Sequence, residues 1–249
     1  MMKKVGLALL FCFSLNAHAI EQCSVDIKNE VHLDGQKVEI VQKDTSKVVI
    51  DQDNNVYING EKLDLNTMQQ QAVESYRQNM NTYVPKVVDI ARDGLTLAQN
   101  TLDDLAQSFN NSEAFNNVKQ ALEEFFNSIE QRYQKDDQFV LQEAAFSDAI
   151  SNWRQDFSAA RETFNSEFFS SAFNAISEQM KAEDGLNLTE LKDKLGELQA
   201  SLRTKLEAES KTIQQDATQY CGDLEKVAEE EQMLHEKIPE LKDYQVFLI

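Results

Sequence analysis

Val56-Tyr57-Ile58-Asn59-Gly60-Glu61-Lys62-Leu63-Asp64-Leu65-Asn66-Thr67-Met68-Gln69 is the stretch in which the chain changes its periodicity. Before Asn66, apolar residues stand two apart, as Val56/Ile58 and Leu63/Leu65, which puts each pair on one face of a strand. Asn59-Gly60 between them reads as a type I′ hairpin turn, because both residues tolerate positive φ. From Asn66 onward the apolar spacing becomes three and four, the repeat of one helical face. Asn66 followed by Gln69 has the form of a capping box, in which each side chain satisfies a backbone N–H of the other residue. A strand region therefore ends where a helical region begins, and the class is α+β.

Toward the N-terminus the period-2 pattern continues through Val31/Leu33, Val38/Ile40 and Val48/Ile50, separated by the turn formers Asp34-Gly35 and Asp51 to Asn55. Residues 20–65 read as a small antiparallel meander, wet on one face and too thin to be stable without a cover. Residues 1–19 read as a cleaved secretory signal peptide: Lys3 and Lys4, an apolar run Val5–Leu15, and Ala17-His18-Ala19 of small-x-small form. That run is too short to cross a hydrocarbon core, which takes about 20 helical residues, so a retained anchor is not expected. The basic pair with a short apolar core is of bacterial type, and the expected destination is the periplasm. Cleavage after Ala19 leaves two cysteines, Cys23 and Cys221, and in an oxidising compartment a lone pair is read first as a disulfide. Closing so long a loop is worth up to about 5 kcal/mol. A redox pair or metal site is the weaker reading, since there is no Cys-x-x-Cys and no nearby histidine pair.

Toward the C-terminus, residues 66–241 read as an elongated, mostly antiparallel long-helix bundle. Met68, Ala72, Tyr76, Met80, Val84, Val87 and Ala91 open a stripe that runs on to Phe109, with a kink expected at Pro85, which lacks the N–H for a helical bond. Breaks are expected near 110–112, 135–137 and 183–187. Between the last two, Phe139, Phe146, Trp153 and Ala160 recur every seven residues, with Ile150, Phe157 and Phe164 beside them, as in a coiled-coil seam. Asn187 with Glu190 forms a second capping box before the last long helix, which Pro239 stops. Residues 242–249 form an apolar terminal segment.

The chain has 249 residues, 43 acidic against 24 basic, and a formal charge of −19. That balance excludes a nucleic-acid binder, whose phosphate contacts need a concentrated basic surface. It equally disfavours adhesion to anionic lipid.

Gln22-Cys23-Ser24-Val25 after a signal, the hairpin Val56-Tyr57-Ile58-Asn59-Gly60, Leu65-Asn66, Tyr76, Pro85 and a lone late Cys221 occur in a recognisable order. In that order and in its cysteine placement the chain resembles the YggN-like family of exported proteobacterial proteins, a domain of unknown function. The resemblance implies export and architecture, and it transfers no activity or catalytic residue.

The residues themselves offer little for catalysis. His32 reads as a solvent-facing strand residue between inward Val31 and Leu33, and His235 as a favourable charge near a helix C-terminus. No Gly-x-Ser-x-Gly, phosphate-binding loop or His-Glu-x-x-His is present. Carboxylate runs such as Asp103-Asp104, Glu123-Glu124 and Glu229-Glu230-Glu231 read as solvated helix faces. Asp51-Gln-Asp53-Asn-Asn55 begins like a calcium loop but has Val56 and Lys62 where the turn glycine and bidentate glutamate are needed. No metal and no cofactor are expected. Phe139, Phe146, Trp153, Phe157 and Phe164 read as bundle core, or alternatively as the lining of an interhelical site for an apolar ligand. Tyr244 to Ile249 read as a strand added to the meander edge, or alternatively as a free partner motif, Phe247-Leu248-Ile249, for an envelope domain that captures C-termini. The leading expectation is a non-enzymatic binding, scaffold or chaperone-like protein of the envelope. Its alternatives are a carrier of an apolar small molecule and, disfavoured, a periplasmic hydrolase dependent on His32 or His235. Neither the partner nor the oligomeric state is legible.

Overall fold

A computed structural model describes residues 24–42, 46–108, 113, 115–142, 167–168, 170–174, 177 and 188–249. The strands are β1 (Asp26–Ile27), β2 (Glu30–Leu33), β3 (Val38–Val41), β4 (Lys47–Ile50), β5 (Val56–Ile58), β6 (Glu61–Lys62), β7 (Gln134–Lys135), β8 (Gln138–Leu141) and β9 (Phe247–Leu248). The helices are α1 (Thr67–Tyr83), α2 (Lys86–Ser108), α3 (Asn116–Tyr133) and α4 (Leu188–Lys237), with a 3-10 turn at Pro239–Tyr244. The class is α+β, an antiparallel sheet with long helices.

Among the described residues the strands form a seven-stranded sheet in the order β6-β5-β4-β3-β2-β8-β7 and a two-stranded sheet of β1 with β9. Register follows the period-2 pattern: Val31 faces Ile40 and Leu33 faces Val38, while Val38 faces Ile50 and Ile40 faces Val48. All six, with Val56, are at most 4% exposed. Each such side chain contributes roughly 1.5–3 kcal/mol on burial, so a one-residue slip that turned the row outward is strongly opposed. Asn59 and Gly60 take φ of 53° and 86°, the positive values that the hairpin turn needs.

The chain folds as two compact units. The sheet-bearing unit holds the strands, α1 and α4 from Ala217 onward. In it α1 lies against β3 and the 3-10 turn against β4. The last turns of α4 run beside α1: the Gln69 amide donates to the Lys237 carbonyl at 2.7 Å, and the Tyr220 hydroxyl donates to the Val84 carbonyl at 2.9 Å. Buried Val73, Tyr76 and Met80 from α1 meet a core that also takes in Leu224, Val227, Leu234 and Ile238 from α4.

The helical unit includes Ile90–Ser128 and α4 up to Asp216. Its α2 and α3 portions run antiparallel, as the pairings of Gln99 with Glu123 (2.7 Å) and of Lys119 with Asp103 (2.7 Å) require. Leu102, Leu105, Ala106, Phe115, Val118 and Ala172 form its core, with Phe168 stacked on Phe115 at 5.5 Å.

Three expectations change here. Asn66 and Gln69 do form the capping box, with bonds of 3.0 Å in both directions. At Pro85, however, the chain passes from one helix to another rather than bending within one, since α1 ends at Tyr83 and α2 begins at Lys86. The Val88 N–H donates to the Pro85 carbonyl at 3.0 Å, and the Tyr220 hydroxyl takes the Val84 carbonyl. The break expected at 135–137 is a β-hairpin: β7 and β8 are joined by Asp136 and Asp137, both at positive φ (50° and 60°). Phe139, expected as the first member of a helical seam, therefore lies in β8, paired with Leu33 of β2 and stacked on Tyr133 at 6.1 Å. An apolar run of three, Phe139-Val140-Leu141, is compatible with strand or helix, and the free edge of β2 decides in favour of strand. Residues 183–187, with the capping box expected at Asn187, lie outside the described residues.

Candidate functional site

Residues that alternate with the buried row of the large sheet face outward. On that face His32, Asp34, Lys37, Glu39, Asp51 and Gln138 line a cleft of about 320 Å³. Its acids are engaged in shaping turns and strands. Asp34 accepts the backbone N–H groups of Gln36 (2.9 Å) and Lys37 (2.6 Å). Asp51 accepts those of Asp53 and Asn55, both at 2.9 Å, and the Asn55 side chain. Burial alone would raise the Asp51 pKa, but these bonds, chiefly those from Asn55, hold it below the ordinary value. The stretch that begins like a calcium loop is thus a strand-connecting turn, with Asn54 at φ 63°. His32 is turned to its neighbour Glu30, 2.6 Å away, and Glu39 bonds Lys47 at 3.1 Å. Among the described residues no group of three or more His, Cys, Asp or Glu side chains is arranged to hold a metal ion.

A different group of polar atoms is buried in the core of the sheet-bearing unit. Glu231, on α4, is 1% exposed. Its Oε1 accepts the Tyr76 hydroxyl at 2.9 Å and the Val246 N–H at 2.7 Å, and its Oε2 accepts the Phe247 N–H at 2.9 Å. Burial raises the Glu231 pKa to about 7 against the opposing pull of those amides, the Tyr76 hydroxyl and the Lys28 charge. Burial and the adjoining carboxylate also push the Tyr76 hydroxyl well above its ordinary value. The preceding Glu230 accepts Asn79 at 2.7 Å and also bonds Ser75, so two successive glutamates of α4 clasp α1.

The expectation that Glu229-Glu230-Glu231 is a solvated face is thereby corrected for Glu231. The signal was present: Leu224, Val227, Glu231, Leu234 and Ile238 follow one another at steps of three and four, so Glu231 occupies a core position of its stripe. His235 is corrected too. Burial lowers its pKa, helped by Lys242 and Lys28, so the neutral ring is favoured.

The terminal segment is docked through its backbone. β9 pairs antiparallel with β1, Ile27 opposite Phe247 and Asp26 opposite Leu248. The Lys28 N–H donates to the Val246 carbonyl at 2.8 Å, and the Asn29 side chain donates to the Gln245 carbonyl at 2.7 Å. Phe247 is 1% exposed, whereas Leu248 and Ile249 are 44% and 55% exposed. The strand joins β1 in a sheet of its own and adds nothing to the edge of the large sheet. Cys221 is half-buried on α4, while Cys23 lies outside the described residues. So do Phe146, Trp153, Phe157 and Phe164. Among the described residues no helix is long and apolar enough to cross a membrane.

Comparison with known proteins gives a family but no activity. The family described as "Protein of unknown function (DUF2884)" matches residues 23–247. Proteins named "Uncharacterized protein YggN" from Escherichia coli strains K12 and O157:H7 are each 32% identical over 104 residues, 41% of this chain and 43% of theirs. The chain thus spans less than half the length of the curated relatives it matches. No solved structure matches it.

Proposed function

From the premise that the chain belongs to this DUF2884 family of unknown function, we propose that it is an exported, non-enzymatic binding protein of the bacterial envelope, a scaffold or chaperone-like factor. The observation that carries the reading is in the helical unit. There Phe173 is 50% exposed although its neighbour Ala172 is fully buried, so the helix that completes the core also offers an aromatic side chain to solvent. An exposed aromatic side chain is an anchor for an apolar segment of a protein client. A charge of −19 repels acidic clients and suits neutral or basic ones.

Export rests on the Lys3-Lys4 start, the Val5–Leu15 run and Ala17-His18-Ala19. A Cys23–Cys221 disulfide fits it. The Ser24 hydroxyl, one residue after Cys23, donates to Glu225 at 2.8 Å, one helical turn beyond Cys221. The carrier alternative draws less support, because Phe139 belongs to a strand and does not extend one helical row with Phe146 and Trp153.

The test is light scattering from a reduced, unfolding model client with and without the oxidised mature protein. The reading expects suppression at equimolar ratio, weakened by Phe173→Ser with the circular dichroism unchanged. No suppression at tenfold excess refutes the chaperone-like role. A small-molecule adduct seen by native mass spectrometry would favour the carrier instead.

A further inference from the structure

The C-terminal strand is held by unusual means. β9 has only two residues and, among the described residues, one neighbour, β1, to pair with. On its other side the consecutive amides of Val246 and Phe247 converge on the carboxyl group of Glu231. A side chain thus stands where a backbone carbonyl row would stand in a sheet. It differs from a carbonyl in one respect, that it can gain a proton.

We propose that Glu231 is a proton-operated latch for the Gln245–Leu248 segment, holding it firmly when protonated and loosening it when ionised. The three donors to Glu231 are a hydroxyl and two amides, so the charge, when present, is hydrogen-bonded by dipoles and has no ion-pair partner in contact with it. A buried charge without a contacting counter-charge is costly, and undocking the segment relieves that cost by admitting water. Protonation removes the charge, and Oε2 accepts a single bond, that from the Phe247 N–H. The wild-type pKa of about 7 puts both states within reach near neutrality.

The surrounding groups are accounted for element by element. From α1 the facing titratable group is Tyr76, whose hydroxyl is held protonated. From the β1 side Lys28 favours the ionised form, and its amine also reaches Gln245 Oε1 at 3.4 Å. Asp26 is turned to the N–H of Ile27 at 2.8 Å. On α4 itself Glu230 is tied to Asn79, and His235 lies one turn on, under the influence of Lys242 from the 3-10 turn. Lys28 is thus the cation acting on Glu231, and it acts without a bond to it.

The sign follows from linkage. An acid at about 7 when docked and 4.5 when released stabilises the docked state fully below 4.5, and that contribution is lost as pH rises through 7. Between pH 5 and pH 8 the docking equilibrium should weaken about 70-fold. The experiment compares the mature protein with Glu231→Gln, a neutral group of the same shape. It reads the protection factors of the Val246 and Phe247 amides from pH 5 to 8, corrected for intrinsic exchange. The wild type should lose protection by about that factor and the variant by less than threefold. His235 is present in both, so the difference isolates Glu231. A carbon-13 titration of the wild-type Glu231 carboxyl decides the matter even if the variant does not fold. A midpoint above about 6, with protection tracking it, supports the latch. A midpoint at or below about 6, or parallel protection profiles in the two proteins, overturns it.

Discussion

Replacing Glu231 by alanine is the perturbation whose cost is most directly worked from the geometry. It deprives three donors of their acceptor: the hydroxyl of Tyr76 and the amides of Val246 and Phe247, which belong to residues 1%, 0% and 1% exposed. A buried donor left without a partner costs about 1–3 kcal/mol. Water entering the space of the lost side chain would relieve part of this, so the low end applies, and the sum is about 3 kcal/mol. The loss should be largest below about pH 4.5, where the group is protonated whether the chain is folded or not. It should shrink at pH 8, where the variant also escapes the cost of a buried charge. Urea denaturation followed by far-ultraviolet circular dichroism, with slopes compared to confirm a common transition, gives the value. A double-mutant cycle with Tyr76→Phe then tests the network. Tyr76→Phe alone should cost about 1 kcal/mol, and in the alanine background it should cost nothing or stabilise, since the unmatched hydroxyl is removed. A loss below about 1 kcal/mol for Glu231→Ala, or strict additivity of the two changes, would refute the view that this carboxyl group organises the buried bonds.

Other outcomes follow from single contacts. Asp137→Gly should stabilise the β7–β8 hairpin by about 1 kcal/mol in thermal unfolding, because Asp137 sits at φ 60°, where glycine is unstrained. Asn66→Ala should cost about 1 kcal/mol by the same measurement, through loss of the bonds to the amides of Met68 and Gln69. Tyr220→Phe should cost about 1–2 kcal/mol, since it leaves the buried Val84 carbonyl, at the junction before Pro85, without its donor. His235 has a lowered pKa when folded, so its contribution is present above 6.5 and is lost as pH falls below that value. His235→Gln should therefore flatten the acid side of the stability profile measured in urea.

Much of the sheet was legible because its signal is local. Val31, Leu33, Val38, Ile40, Val48, Ile50 and Val56 alternate with polar residues, and alternation of that kind has one low-energy arrangement once a face is covered. The Asn59-Gly60 turn and the Asn66/Gln69 box depend on atoms at most three residues apart, so neighbouring sequence suffices to specify them. The β7–β8 hairpin was misread for the opposite reason. Asp136-Asp137 is a poor sequence signal for two successive positive φ values, and Phe139-Val140-Leu141 satisfies helix and strand alike. Its conformation is settled by pairing with β2, more than a hundred residues away in sequence.

Glu231 marks the boundary most sharply. Its place in the stripe of Leu224, Val227, Leu234 and Ile238 is written in the sequence, but an acid in such a stripe is ordinarily a position where the helix is wet. What makes it a buried acceptor is that Tyr76 arrives from α1 and the Val246 and Phe247 amides arrive from the end of the chain. Periodicity alone determined the α+β class, the faces of the strands and the start of α1, because those are set by residues near one another along the chain. Tertiary packing decided which strand joins the edge of β2 and which glutamate is dry. It also decided where the terminal strand docks, because a hydrogen-bond donor contributed by a distant segment leaves no trace in the neighbourhood of its acceptor.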